Sequence, residues 1–196
     1  MSSNNVNWTH RRTSNPSGLP VSVAEVKSRL RMAACETAFD DDIELQIYAA
    51  AEQLEKDSQR QILSATYEHS QDCFSDQIRL KMRPVTSVTS VTYLDTDGTS
   101  QTLDSADWRF DQSRQCVLPA VGESFPSTIS DPNAVTVTYS AGYGSDSGCL
   151  PRLIKQCIIL AVAHWFMDPA EESAARIQGT PAYDRAVNLL QVGIYP

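Results

Sequence analysis

The chain has 196 residues, 41% of them hydrophobic and 20% charged, so it can bury a substantial core as one domain or two small ones. Its formal net charge of -8 argues against tight wrapping of nucleic acid, because that affinity comes mainly from cations that neutralise phosphates. Five cysteines without a CxxC pair predict neither a disulfide framework nor a zinc site, and we expect a reducing compartment and no secretory signal.

The N-terminal stretch, residues 1–19, is predicted to be a flexible arm. Ser, Asn and Thr dominate it, and its apolar residues follow no period. Alternatively, Trp8 with Arg11 and Arg12 could order on a partner, since aromatic and arginine side chains often anchor interfaces.

Two helices are predicted next. Ser22 and Glu25 have the spacing of a capping box and begin a helix that runs to Leu30. A second helix is predicted over Asp41–Arg60. The three aspartates at residues 40–42 suit a helix start; as adjacent carboxylates they do not converge on a metal. The apolar stripe of the second helix consists of Ile43, Ile47, Ala50 or Ala51, and Leu54.

Residues 62–149 are predicted to form an inserted antiparallel β-rich subdomain, because the apolar period changes there from 3.6 to 2. Residues 122–133 carry turn signals and predict a loop, and the AGYG at 141–144 predicts a flexible exit. The predicted strands are Ser64–Asp72, Ile78–Met82, Val85–Leu94, Gln101–Leu103, Trp108–Phe110, Cys116–Leu118 and Val135–Ser140.

The most apolar run, Leu150–Phe166, has helical spacing, with Pro151 suited to the first turn. From Cys157 onward, apolar residues occupy every side of this predicted helix, so either protein or membrane must surround it. The run is far shorter than the roughly 20 apolar residues of a membrane span, and we expect burial in protein. The residues expected to pack in the core or between subunits are Ile154, Ile158, Ala161 and Trp165, with His164 beside them.

A weak helical piece is predicted at Ala170–Gln178, and a last helix at Pro181–Leu190. Residues 191–196 are predicted to form an apolar C-terminal tail that folds back or docks on another chain. The sequence thus predicts an α+β fold. Its core is a bundle of about four helices, from residues 20–61 and 150–190, interrupted by the β subdomain.

No motif indicates catalysis, a cofactor or a metal. The one Cys/His pair on a helix face, Cys157 and His164, lies in an apolar run where Cys behaves as a small hydrophobe. We therefore predict no enzyme activity and no catalytic, cofactor-binding or metal-ligating residues.

In combination, several segments resemble the head-tail connector proteins of tailed bacteriophages, also called adaptors or head-completion proteins, in the subgroup with a β insertion. The resemblance covers about residues 20–195 and leaves the arm outside. The segments that carry it are PVSVAEVKSRLR at 20–31, RPVTSVTSVTYLDTDG at 83–98, AVTVTYSAGYG at 134–144, LPRLIKQCIILAVAHWF at 150–166 and PAYDRAVNLL at 181–190.

The resemblance implies a structural virion protein, made in the host cytoplasm and placed in the neck of the particle. Its copies are expected to form a ring, a dodecamer, between the portal protein and the tail or next neck protein. DNA would pass through the ring during packaging and ejection without specific binding, and no membrane is involved. A net charge of -8 per copy fits this passage, because it repels phosphates.

The resemblance also suggests site residues. The last helix and tail are expected to reach the portal, with Leu189, Leu190, Val192, Ile194 and Tyr195 as anchors. Glu44, Glu52 and Glu55 of the second helix are candidates for lining the channel, or for a solvated outer face. Two other classes stay open: a β-domain binding module on a helical stalk and, least favoured, a thiol or histidine enzyme.

Overall fold

The computed structural model describes residues 7–167 and 181–191, and the chain divides into two compact units. The β unit takes in Ser64–Gly142 together with the N-terminal residues up to Asn15, and the helical unit takes in Pro16–Leu63 and the chain from Tyr143 onward. Helices from both ends of the sequence share one core, and antiparallel strands fill the interval between them. This confirms the predicted α+β fold.

Four helices are described in the helical unit: α1 (Val23–Leu30), α2 (Asp40–Ser58), α3 (Arg152–Met167) and α4 (Pro181–Gln191). The capping box of α1 is present. The backbone N–H of Ser22 donates to Glu25 Oε2 at 2.9 Å, and the N–H of Glu25 donates to Ser22 Oγ at 3.2 Å. The hydrogen bond from the Ser22 N–H to the Glu25 carboxylate lowers the pKa of Glu25. Two orphan donors at the helix start are thereby satisfied.

The first turn of α2 holds all three aspartates, and no side chain caps the helix at Phe39. Negative charge at this end complements the helix dipole. Asp40 also forms an ion pair with the ammonium of Lys27, whose side chain is only 6% exposed. The pair joins α1 to α2, since a buried cation without its partner would be strongly destabilising.

Helix α3 lies at the centre of the helical unit and contacts α1, α2 and α4. The structure buries Ile154, Ile158, Ala161 and Trp165 in one core cluster with residues of all the other helices. His164, expected in the core, is exposed instead. The reason is that α1, α2 and α4 do not enclose α3 on every side.

The β unit contains eight strands among the described residues: β1 (Trp8–Arg12), β2 (Ala65–Gln71), β3 (Ile78–Arg79), β4 (Val85–Leu94), β5 (Ser100–Thr102), β6 (Trp108–Asp111), β7 (Cys116–Pro119) and β8 (Val135–Ala141). They form a five-stranded sheet in the order β1-β2-β8-β4-β5 and a three-stranded sheet in the order β3-β7-β6. All described pairings are antiparallel.

Every second residue of the central strands β2 and β8 is buried, as the period of 2 predicts. Tyr67 and Tyr139 stack across the pair with ring centroids 5.7 Å apart. The Tyr139 hydroxyl accepts from the backbone N–H of Met82 at 3.3 Å, and burial raises its pKa to about 12. The β unit therefore has a hydrophobic core of its own.

The expectation of a flexible arm is wrong for residues 8–12, which form β1. This strand pairs with β2 from Trp8 opposite Gln71 to Arg12 opposite Tyr67, and Arg11 forms a 2.8 Å ion pair with Glu68. The free edge of β2 supplies the backbone hydrogen bonds that order it, so no periodicity of its own is needed.

The AGYG segment is a close turn between strand and helix. Gly144 has a φ of 156°, and a Cβ there would collide with the side chain of Cys149. Glycine is required for that approach, which corrects the expectation that this exit is simply flexible.

Because Trp165 is buried in the core cluster, Trp165→Ala should lower the free energy of unfolding by roughly 3–5 kcal/mol. Urea denaturation followed by circular dichroism measures this change. Met167→Ala is the matched control on the same helix, since Met167 is 80% exposed and its loss should stay within about 0.5 kcal/mol. Equal effects of the two substitutions would contradict the central place of α3.

Candidate assembly surfaces

Cys157 and His164 on α3 do not form a catalytic pair of nucleophile and base. Cys157 is 2% exposed, whereas His164 lies at the surface. Burial raises the pKa of the Cys157 thiol to about 11, which keeps it protonated and unreactive at neutral pH. Within residues 7–167 and 181–191, no cluster of His, Cys, Asp and Glu has the arrangement of a metal site, and no helix is long and apolar enough to cross a membrane.

Among the described residues, three hydrogen bonds hold α4 against the C-terminal end of α2 and the residues that follow it. The buried Arg60 donates from Nε to the carbonyl of Leu190 at 2.8 Å. The Tyr183 hydroxyl donates to Asp57 Oδ2 at 3.1 Å, and Gln191 Nε2 donates to the carbonyl of Asp57 at 2.8 Å. These bonds satisfy a terminal carbonyl of α4 and hold the last turn of the helix in place.

Arg60 has a second contact that joins α4 to the return of the chain from the β unit. Its Nη1 donates to the Tyr143 hydroxyl at 2.6 Å. The backbone N–H of Tyr143 in turn donates to the carbonyl of Ile62 at 3.0 Å. Arg60 therefore connects three segments of the helical unit that are distant in sequence.

The structure separates the residues predicted to dock on the portal. Leu190 is 1% exposed and packs in the core, which corrects its assignment as a docking anchor. Its neighbour Leu189 is 37% exposed. Val192, Ile194 and Tyr195 lie outside the described residues.

The three carboxylates considered for a channel lining differ in their surroundings. Glu55 Oε1 accepts from Gln61 Nε2 at 2.6 Å and from the backbone N–H of Ile62 at 3.0 Å, so this side chain is engaged within its own subunit. Glu44 is half-buried and Glu52 is exposed. A lining role for Glu44 and Glu52 stays a prediction.

The outer side of α2 carries large apolar side chains that the sequence interpretation did not single out. Leu45 is 67% exposed and Tyr48 is 40% exposed, between the exposed carboxylates of Asp41 and Glu52. We call these four residues the acidic ridge. Their signal was present in the sequence, because Leu45 and Tyr48 fall off the stripe of Ile43 and Ile47.

A groove of about 540 Å³ lies between α1 and α3. Its walls carry three cations and the carboxylate of Glu25, and its apolar residues Ile159 and Leu160 are half-buried. We call Arg29, Arg152, Lys155, Ile159 and Leu160 the basic groove. Arg152 and Lys155 share one side of α3, but only the packing of α1 on α3 adds Arg29, so no local motif could reveal the groove.

In the β unit, aromatic and basic side chains meet where β1 joins the sheet. Trp8 stacks on the buried His69 with ring centroids 5.8 Å apart, and Lys81 Nζ lies 4.9 Å from the Trp8 ring centroid. Desolvation lowers the pKa of His69, and the charge of His10 adds to this effect. The neutral form of the His69 imidazole therefore favours the pairing of β1 with β2.

The fold is similar to that of chains from the virion and neck of gene transfer agent particles. Over 93% of this chain and 94% of the other, it matches a chain in the neck of a native gene transfer agent particle computed with C12 symmetry, with a TM-score of 0.70 and 20% identity. A chain from the virion of a native gene transfer agent particle matches with a TM-score of 0.70 and 21% identity, over 91% and 92% of the two chains.

A further match is a chain in the neck of an empty gene transfer agent particle computed with C6 symmetry. Its TM-score is 0.66 and its identity 23%, over 81% of this chain and 84% of the other. No protein-family model and no curated protein sequence matches the chain. The likeness therefore rests on the arrangement of helices and strands.

Replacing Arg60 by Met should weaken the packing of α4, since it leaves the Leu190 carbonyl and the Tyr143 hydroxyl without their donor. We expect a loss of about 1–3 kcal/mol in the free energy of unfolding, measured by urea denaturation. Arg29→Met, at an exposed position of α1, is the control and should change stability by less than about 0.5 kcal/mol. An Arg60 variant as stable as the Arg29 variant would disprove this role.

Stability should fall as the pH drops below 6.5, the ordinary pKa of histidine. Since the pKa of His69 in the folded chain lies below that value, the unfolded chain binds the extra proton between the two pKa values. The stabilisation is complete above pH 6.5 and is lost as the pH falls through that window. The urea midpoint at pH 7.5 and pH 5.5 measures the effect, and His69→Leu should reduce the difference. If the His69→Leu variant shows the same difference in urea midpoint as the native chain, another group causes the pH dependence.

Proposed function

We propose that this protein is a structural subunit of the neck of a tailed phage or phage-like particle. Copies of it form a ring under the portal, join the head to the tail or next neck protein, and let DNA pass. The observation that carries the proposal is the match over nine-tenths of both chains to a neck chain computed with C12 symmetry.

The chemistry of the described residues supports a structural role. Cys157 is buried and His164 is exposed, so the two do not act together. The exposed apolar side chains Leu45, Tyr48 and Leu189 are of the kind that interfaces cover. A net charge of -8 on each copy disfavours a firm grip on phosphates, which suits a conduit through which DNA slides.

The portal contact is proposed to involve Leu189 and the residues after α4. Arg60 and Asp57 fix the end of α4, so the chain leaves the helical unit from a defined point. Val192, Ile194 and Tyr195 follow within four residues of that point and supply apolar and aromatic anchors.

A chain that ends at Gln191 should fold normally but fail to co-sediment with portal-bearing capsids that lack this protein. It keeps Tyr183, Leu190 and Gln191, and therefore all three hydrogen bonds that hold α4. Circular dichroism and thermal melting check the fold, and sedimentation of capsids checks attachment. A chain that begins at Asn7, shortened by a similar amount at the other end, is the control and should still co-sediment.

The second candidate is a binding module carried on a helical unit, favoured by the separate hydrophobic core of the β unit. The loop residue Val121, which is 87% exposed, is one feature that such a module would offer a partner. Under this alternative the chain ending at Gln191 would remain attached to the particle, and Val121→Asp would release it. Under the connector proposal Val121→Asp leaves attachment unchanged.

A further inference from the structure

The acidic ridge is an exposed face of α2 with a defined chemical pattern. Asp41, Leu45, Tyr48 and Glu52 recur at intervals of three and four residues, so their side chains share one side of the helix. They span about 16 Å of helix axis at 1.5 Å per residue. Leu45, with two-thirds of its surface exposed, is a costly side chain to leave in water.

The basic groove has the converse pattern. Arg29 and Arg152 are exposed, and within the part of the chain that the structure describes neither forms an ion pair. Lys155 lies 3.7 Å from Glu25, whose carboxylate is also engaged in the capping box. The positions from Arg152 to Leu160 span about 12 Å of α3, a length comparable with that of the ridge.

The two surfaces complement each other in charge and in apolar character. The ridge offers two carboxylates around Leu45 and Tyr48, and the groove offers three cations around Ile159 and Leu160. They share no residue and lie on different helices. A contact between them in two copies is therefore head-to-tail, and such a contact generates a closed ring when its rotation closes.

We propose that the acidic ridge of one copy occupies the basic groove of the next copy and so forms the contact between subunits. The inference rests on the proposed ring in the neck and names the surfaces that build it. It assigns Glu52 to the contact between copies and not to the channel. Leu45 and Tyr48 would lie over Ile159 and Leu160, while Asp41 and Glu52 face the guanidinium groups of Arg29 and Arg152.

Charge reversal with complementation tests this pairing. Glu52→Arg and Arg152→Glu should each weaken self-association at least about tenfold, because like charges across an interface are strongly unfavourable. A mixture of the two variants should recover it, because the ridge of the Glu52→Arg variant fits the groove of the Arg152→Glu variant and the remaining surfaces are native. Sedimentation velocity over a concentration series at low salt measures self-association, and the number of copies retained on portal-bearing capsids is counted in parallel.

Glu36→Arg is the matched control, since it makes the same change of charge at an exposed position outside the ridge. It should assemble like the native chain and should not rescue Arg152→Glu. If both single variants assemble and load capsids normally, the pairing is wrong while the connector function stands. If they assemble poorly and the mixture does not recover, the pairing is also wrong. If the native chain neither self-associates nor binds capsids, the proposed function fails together with the pairing.

Discussion

Burial of α3 is the constraint on which the rest of the helical unit depends. Six of its residues lie in the core, and helices from both ends of the chain are needed to cover them. The described part of α3 extends from Arg152 to Met167, so α1 and α2 must pack on a segment that is synthesised only after the entire β unit. Ser64–Gly142 are therefore inserted into the chain of the helical unit, whose residues before and after them must meet within that unit.

That meeting point is built from polar contacts around Arg60. The backbone hydrogen bond from Tyr143 to Ile62 joins the residues that precede Ser64 to those that follow Gly142. Arg60 links both to the last turn of α4. A buried guanidinium with both acceptors in place favours one arrangement of these segments, because any other would leave its buried N–H donors without hydrogen bonds. The position of the end of α4 thus follows from the closure of the core.

Much of the fold could be predicted because it depends on local sequence patterns, such as periodicity and capping residues. The alternation in β2 and β8 and the capping box at Ser22 are signals that act over a few residues. The failures arise from non-local effects. The segment WTHRR carries no strand pattern of its own and becomes β1 only because β2 offers a free edge. His164 lies in an apolar run yet is exposed, since the other helices cover α3 incompletely.

The surfaces were harder to predict than the fold. Leu190 falls on the apolar stripe of α4, and this period favours the core over docking, as the structure bears out. The basic groove depends on which helices are neighbours, which no single segment encodes. The most direct measurement is cryo-electron microscopy of the neck of the particle that contains this protein. We expect copies of the chain arranged as a ring directly below the portal, around a central channel. Density for the chain elsewhere in the particle, or single copies outside the neck, would contradict the connector role.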